Sequence, residues 1–201
     1  MNGLTMSQAG FGSLALAAVV VAAFASHAGA VGEEKVELTI GGGHETDPRD
    51  RGRPVALVAG ALGVKPEVFR SAFSQVKPAP AGTRPDPAQV RRNKSALLGA
   101  LARHGVTNDR LDRVSDYYRY NPSRGEMWPV EAAAGYATIR DGAITSVVVT
   151  RAGSGYNSPP TVSIPGHPQF VLKADLAFDR DFKKNGSIAS ITQAAPAGPS
   201  R

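Results

Sequence analysis

Apolar positions recur about every 3.6 residues across residues 54–120 and every second residue beyond Pro129, the spacings of a core-facing helix and of a strand with one wet face. The first stretch predicts four helices. Pro54 suits a first helical turn, Val55, Val58 and Leu62 share a face, and Gly63 offers a stop. Pro66 opens a second helix whose stripe is Val68, Phe69, Ala72, Phe73 and Val76. Residues 77–87 read as a loop, because Pro78, Pro80, Pro85 and Pro87 deny a continuing helix its donors and dihedrals. Asp86-Pro87-Ala88-Gln89 combines an N-cap, a proline at the first helical position and a capping-box glutamine. The third helix starts there, ends at Gly105, and presents Val90, Leu97, Leu98 and Leu101. A fourth, capped by Thr107 or Asn108, carries Leu111, Val114 and Tyr118, and so tight a joint leads us to expect the two to pack together.

The change of period puts a boundary near residues 128–131. Residues 136–140 and 143–150 flank Asp141-Gly142, a dipeptide suited to a two-residue hairpin turn. Phe170, Leu172, Ala174, Leu176 and Phe178 alternate with polar residues as a further strand, and Asn185-Gly186 reads as another turn. Residues 185–191 echo 141–147, turn and alternation alike, so one complete unit is followed by the opening of a second. Ahead of the helices, residues 36–40 form a plausible strand. The expected fold class is α+β, a small helical domain followed by a small antiparallel β-module. Its divisions are a signal peptide over 1–30, a strand with a glycine-rich acidic loop over 31–53, the helical domain over 54–128, the β-module over 129–192 and a disordered tail over 193–201.

The signal peptide rests on an uncharged leader whose apolar run, residues 14–24, ends in Ala28-Gly29-Ala30. That run is about half of the roughly 20 residues a membrane-spanning helix needs, so cleavage before Val31 is expected, and with it a periplasmic or secreted mature chain. No Lys or Arg precedes the run. With no cysteine in 201 residues, disulfides, thiolate zinc sites, iron–sulfur clusters, cysteine nucleophiles and lipid attachment at the cleavage point are all excluded. The net charge of +6 lies wholly outside the leader, which favours acidic partners. Because acids are interleaved with bases, a mixed solvated surface is expected rather than one anion patch; Arg91, Arg92 and Lys94 make the densest basic cluster.

Gly153-Ser154-Gly155-Tyr156 followed by Pro159-Pro160-Thr161-Val162, with the Asp141-Gly142 turn and the strand before it, resembles a short GSGY and P-x-V β-module that recurs in phage tail proteins and in bacterial exported or surface proteins. The resemblance covers residues 136–164 and implies a structural or display role with no catalytic residue. In such a module the glycines permit a sharp reversal and the tyrosine covers the sheet end while its hydroxyl satisfies local backbone. The paired prolines limit edge pairing.

Candidate chemistry concentrates in Gly41-Gly42-Gly43-His44-Glu45-Thr46-Asp47-Pro48-Arg49-Asp50. His44, Glu45, Asp47 and Asp50 place an imidazole and three carboxylates within seven positions, where a loop could converge them on a divalent cation for binding or hydrolysis. The competing arrangement is a loop locked by its own side chains, with Asp47 capping a turn and Asp50 paired with Arg51 or Arg53. No Lys-Ser or Lys-Thr follows the glycines, against a phosphate loop. Tyr117, Arg119, Tyr120 and Trp128 form a second candidate, a stacking platform for carbohydrate, against which stands packing of the helices on the sheet. The helix-turn-helix likeness of residues 98–118 would turn Asp109 and Asp112 toward phosphates, so nucleic acid is not expected. Ser154 and His167 lack an elbow and a third member, and His104 suits a helix C-terminus. The sequence therefore points to a non-enzymatic envelope or extracellular binding or interaction component, with no cofactor beyond that divalent metal. Its partners are expected to be an envelope protein or polysaccharide.

Overall fold

The computed structural model describes residues 32–77, 86–119 and 125–194. The expected signal peptide, most of the proline-rich loop, Tyr120 and the tail from residue 195 lie outside them. The described chain from Gly32 onward falls into one compact unit. It holds four α-helices and two antiparallel sheets, an α+β architecture. None of the described helices is long and apolar enough to cross a membrane.

The helices are α1 (Val55–Leu62), α2 (Pro66–Phe73), α3 (Pro87–Leu101) and α4 (Asn108–Tyr117). Their ends follow the local chemistry. Gly63 closes α1 in the left-handed region, Asp86 accepts from the amides of Ala88 and Gln89, and Thr107 accepts from that of Arg110. The Gln89 side-chain nitrogen donates to the Lys77 carbonyl, 2.8 Å away, and so ties the start of α3 to the segment after α2. A 3-10 turn over Ala102–His104 extends α3 to Gly105. The tight joint does not make α3 and α4 mutual partners: α3 packs chiefly on α2 and α4 on α1, with a Lys94–Asp112 ion pair of 2.7 Å between α3 and α4. Leu57, Leu62, Leu101 and Val114 are fully buried between them, each contributing roughly 1.5–3 kcal/mol. Val90 was expected in that core but lies in the first turn of α3 and is 49% exposed.

One sheet has the order β1 (Glu34–Glu37), β3 (Ala134–Arg140), β4 (Ala143–Arg151). The other runs β2 (Thr39–Gly41), β5 (Thr161–Ser163), β6 (Leu172–Ala177), β7 (Ser187–Gln193). The expected strand over 36–40 is thus divided at Leu38: its first part pairs with β3 and its second with β5, so the N-terminal segment ties the two sheets together. Asp141, at φ 53°, and Gly142 form the β3–β4 hairpin turn as expected. Pro159 and Pro160 precede a strand that lies inside its sheet, not at an edge; they sit before its first ladder bond, where no amide is needed. Gln193, placed in the tail by its composition, is the last residue of β7 and pairs with Leu172.

Asn185-Gly186 is the turn into β7 that its composition predicts, with Gly186 at φ 67°, but the Asn185 side chain has a role the sequence did not show. Asn185 keeps a negative φ and has no exposed surface. Its amide nitrogen donates to the Leu57 carbonyl of α1 and to the Tyr118 hydroxyl, each at 2.7 Å, while its oxygen accepts from the Asp179 amide at 3.0 Å. Gly60 of α1 admits it: a Cβ there would come within 2.5 Å of Asn185 Oδ1 and 2.7 Å of Phe178. The second half of the sequence echo is therefore a bolt between the helices and the sheets.

Candidate functional site

The glycine-rich loop after β2 folds onto the residues that resemble the β-module. Gly43 is buried so closely against Tyr156 that a Cβ would approach its ring to 2.6 Å, and the Gly43 carbonyl accepts from the amides of Asn157 and Ser158. Of the glycine run, Gly43 is explained by this contact. Tyr156 is buried, and its hydroxyl accepts from the Ala133 amide at 2.9 Å. His44 stacks on the Tyr156 ring at 5.6 Å and meets Trp128 edge-on at 6.4 Å.

Of the four candidate metal ligands, His44 makes ring contacts but its buried Nδ1 has no hydrogen bond, and the three acids each accept hydrogen bonds from a different donor. Glu45 accepts from the Gly43 amide at 3.1 Å and from the Ser158 hydroxyl. The Ser158 bond is the main reason its carboxyl is held below the usual carboxylate range. Asp47 caps the 3-10 turn over Pro48–Asp50 and is gripped by Arg49, whose side chain and amide hold its pKa down to about 2. Asp50 is buried and accepts two bonds of 2.8 Å from Arg70 of α2, in place of the expected pairing with Arg51 or Arg53. Among the described residues no three His, Asp or Glu side chains converge as a metal site would require.

The aromatic candidate is likewise dispersed. Tyr117 stacks on Phe182 at 4.2 Å, so one face of its ring is covered. Trp128 is 3% exposed and donates to the Gly155 carbonyl at 2.8 Å. Arg119 points outward to Asp116 at 2.8 Å, and Tyr120 lies outside the described residues. These rings seal the helices against the sheets, in line with the packing alternative. Ser154 is held in a backbone bridge to Glu131, His167 lies 3.4 Å from Glu34, and His104 ends the α3 extension.

The structure brings together a different group. Arg49, Arg51 and Arg53 from the loop and Arg70 from α2 rim a cleft of about 360 Å³ whose floor is Val55, Phe69, Phe73 and Val76; Asp50 is its one acid. The local sequence explains the rim. Asp47 and Pro48 set the 3-10 turn, and Arg51 ends it at φ 51° and ψ 47°, a left-handed conformation unusual for a residue with a side chain. Arg53 lies flat over Phe73, 4.2 Å from the ring centre, and donates to the Asp50 carbonyl at 3.0 Å. The Asp50 carboxylate raises the pKa of Arg70, whose charge is thereby fixed.

Four guanidinium groups over an apolar floor can orient and hold an anion by paired N–H donors while its apolar body is desolvated. The signal was present in the sequence as three arginines at alternate positions, 49, 51 and 53, followed one helix later by Phe69-Arg70 and Phe73. It was obscured because the acids among them suggested local ion pairs. No family model matches this chain, and no curated protein or solved structure matches it either.

Proposed function

We propose that the chain is an exported, non-enzymatic binding protein of the envelope or extracellular space, and that its ligand is an anion held in the arginine-rimmed cleft. The observation that carries this is the excess of guanidinium groups over carboxylates around an apolar floor of ligand-binding size. The rest of the molecule acts as a scaffold: the Asp50–Arg70 pair holds the loop on α2, and the bolt at Asn185 ties α1 to the segment before β7. Export is supported by the apolar leader and by the resemblance of residues 136–164 to modules of exported proteins.

Two measurements test the parts separately. N-terminal sequencing of the protein recovered from its native host should find Val31 first; an intact Met1 would remove the export step. Calorimetry against a panel of simple anions should show saturable binding that Arg51→Glu with Arg53→Glu abolishes. Equal binding by that double variant would remove the cleft as the site.

A further inference from the structure

We infer that Asn185-Gly186 is a latent deamidation site, silent while the helices and sheets are joined and converted to aspartate or isoaspartate in any chain that opens there. The conversion marks an opened chain for good, because neither product fits the place that asparagine leaves.

The chemistry needs a mobile Asn-Gly pair, base and water. The Gly186 backbone nitrogen gives its proton to solvent base and attacks the Asn185 side-chain carbonyl carbon. As that C–N bond forms, the bond to the side-chain nitrogen breaks, and the nitrogen takes up a proton and leaves as ammonia. Water then opens the cyclic imide at either carbonyl, to aspartate or to isoaspartate. Glycine favours the attack because it adds no side chain and leaves the backbone free to turn. The chain has one other such pair, Asn2-Gly3, which lies outside the described residues.

The fold withholds each requirement. Asn185 and Gly186 are both buried, away from solvent base. The Gly186 N–H is committed to the Ala177 carbonyl at 3.0 Å. The Asn185 amide is held at both ends, by Leu57 and Tyr118 at its nitrogen and by Asp179 at its oxygen. The backbone is pinned too: the Asn185 carbonyl accepts from the Gly155 amide at 2.9 Å and the Gly186 carbonyl from the Tyr156 amide at 3.0 Å.

The two products fail for separate reasons. A carboxylate has no N–H to give, so the Leu57 carbonyl would face an anionic oxygen although Tyr118 can turn its hydroxyl to donate. Isoaspartate lengthens the main chain by a methylene between those pinned groups. Gly186 has no room to yield, since a Cβ on it would already meet the Tyr156 carbonyl and the Leu57 side chain.

The test incubates the intact protein and a peptide of residues 183–189 in neutral buffer, with and without urea. Pepsin digestion and mass spectrometry then read the conversion of amide to acid at Asn185. In urea the protein should convert at the peptide's rate. In buffer it should convert at least about a thousandfold more slowly, because only the opened fraction reacts. Converted chains returned to buffer should melt below the parent, and Asn185→Asp, never exposed to urea, should do the same. Conversion of the folded chain within about tenfold of the peptide would overturn the guard by the fold. A parental melting temperature in Asn185→Asp would overturn the one-way mark.

Discussion

Replacing Asn185 by alanine removes three hydrogen bonds at a position with no exposed surface. The Leu57 carbonyl, the Tyr118 hydroxyl and the Asp179 amide lose their partners at once. Leaving a buried polar group unpaired costs about 1–3 kcal/mol, and the void left by the amide adds to this. Some relief comes from Tyr118, whose hydroxyl can rotate, and from water entering the void. An expected loss of about 4 kcal/mol is a large share of the total stability of a domain this size. For a body of about 170 residues it corresponds to a fall in melting temperature of about 8–16 °C.

Differential scanning calorimetry and urea titration of the variant against the parent measure this directly. Asp141→Gly is the control, since Asp141 occupies the position in the sequence echo that matches Asn185 but sits in an exposed turn at φ 53°. Glycine tolerates that conformation, so the control should change stability by less than about 0.5 kcal/mol. If Asn185→Ala stays within about 1 kcal/mol of the parent, Asn185 is an ordinary turn residue and the bolt between helices and sheets does not exist.

Three further outcomes follow from the cleft and its surroundings. Arg51→Gly relieves a left-handed arginine and should raise stability by about 0.5–1 kcal/mol, measured as a higher urea midpoint, while the same variant loses anion binding. Arg70→Met strands the buried Asp50 carboxylate and should cost about 3 kcal/mol; adding Asp50→Asn should recover much of this in a double-mutant cycle. Burial lifts the Tyr118 phenol from 10.0 to about 12, so its contribution is fully present below pH 10 and is lost as pH rises towards 12. The urea midpoint should therefore fall across that window, and Tyr118→Phe should flatten the fall although it also removes the bond to Asn185.

Local chemistry made the helices legible, because Asp86, Thr107, Gly63 and the prolines act on their own neighbours within one turn. The hairpin at Asp141-Gly142 was legible for the same reason. What could not be read was which distant group each polar side chain would meet. Asp50 is adjacent to both Arg49 and Arg51 and three positions from Arg53. It nevertheless pairs with Arg70, because packing α2 beneath the loop presents a planar fork to a buried carboxylate, with both bonds at 2.8 Å. Asn185-Gly186 has the composition of a turn, but the close approach at Gly60 makes a buried amide the group that fits.

The same tertiary pairings explain why the metal candidate dissolved and the anion cleft emerged. Periodicity fixes which face of an element is buried, but it does not say which charges remain unmatched once the elements meet. In this loop each acid of the candidate metal set is engaged by a different hydrogen-bond donor, Glu45 by Ser158, Asp47 by Arg49 and Asp50 by Arg70. A carboxylate paired with a guanidinium has its charge already matched, which weakens its pull on a cation. Arg49 and Arg70 are engaged in those same pairs, whereas Arg51 makes no ion pair among the described residues and gives up none towards an anion. The loop that reads as a cation site by composition thus reads, once its partners are in place, as half of a site for the opposite charge.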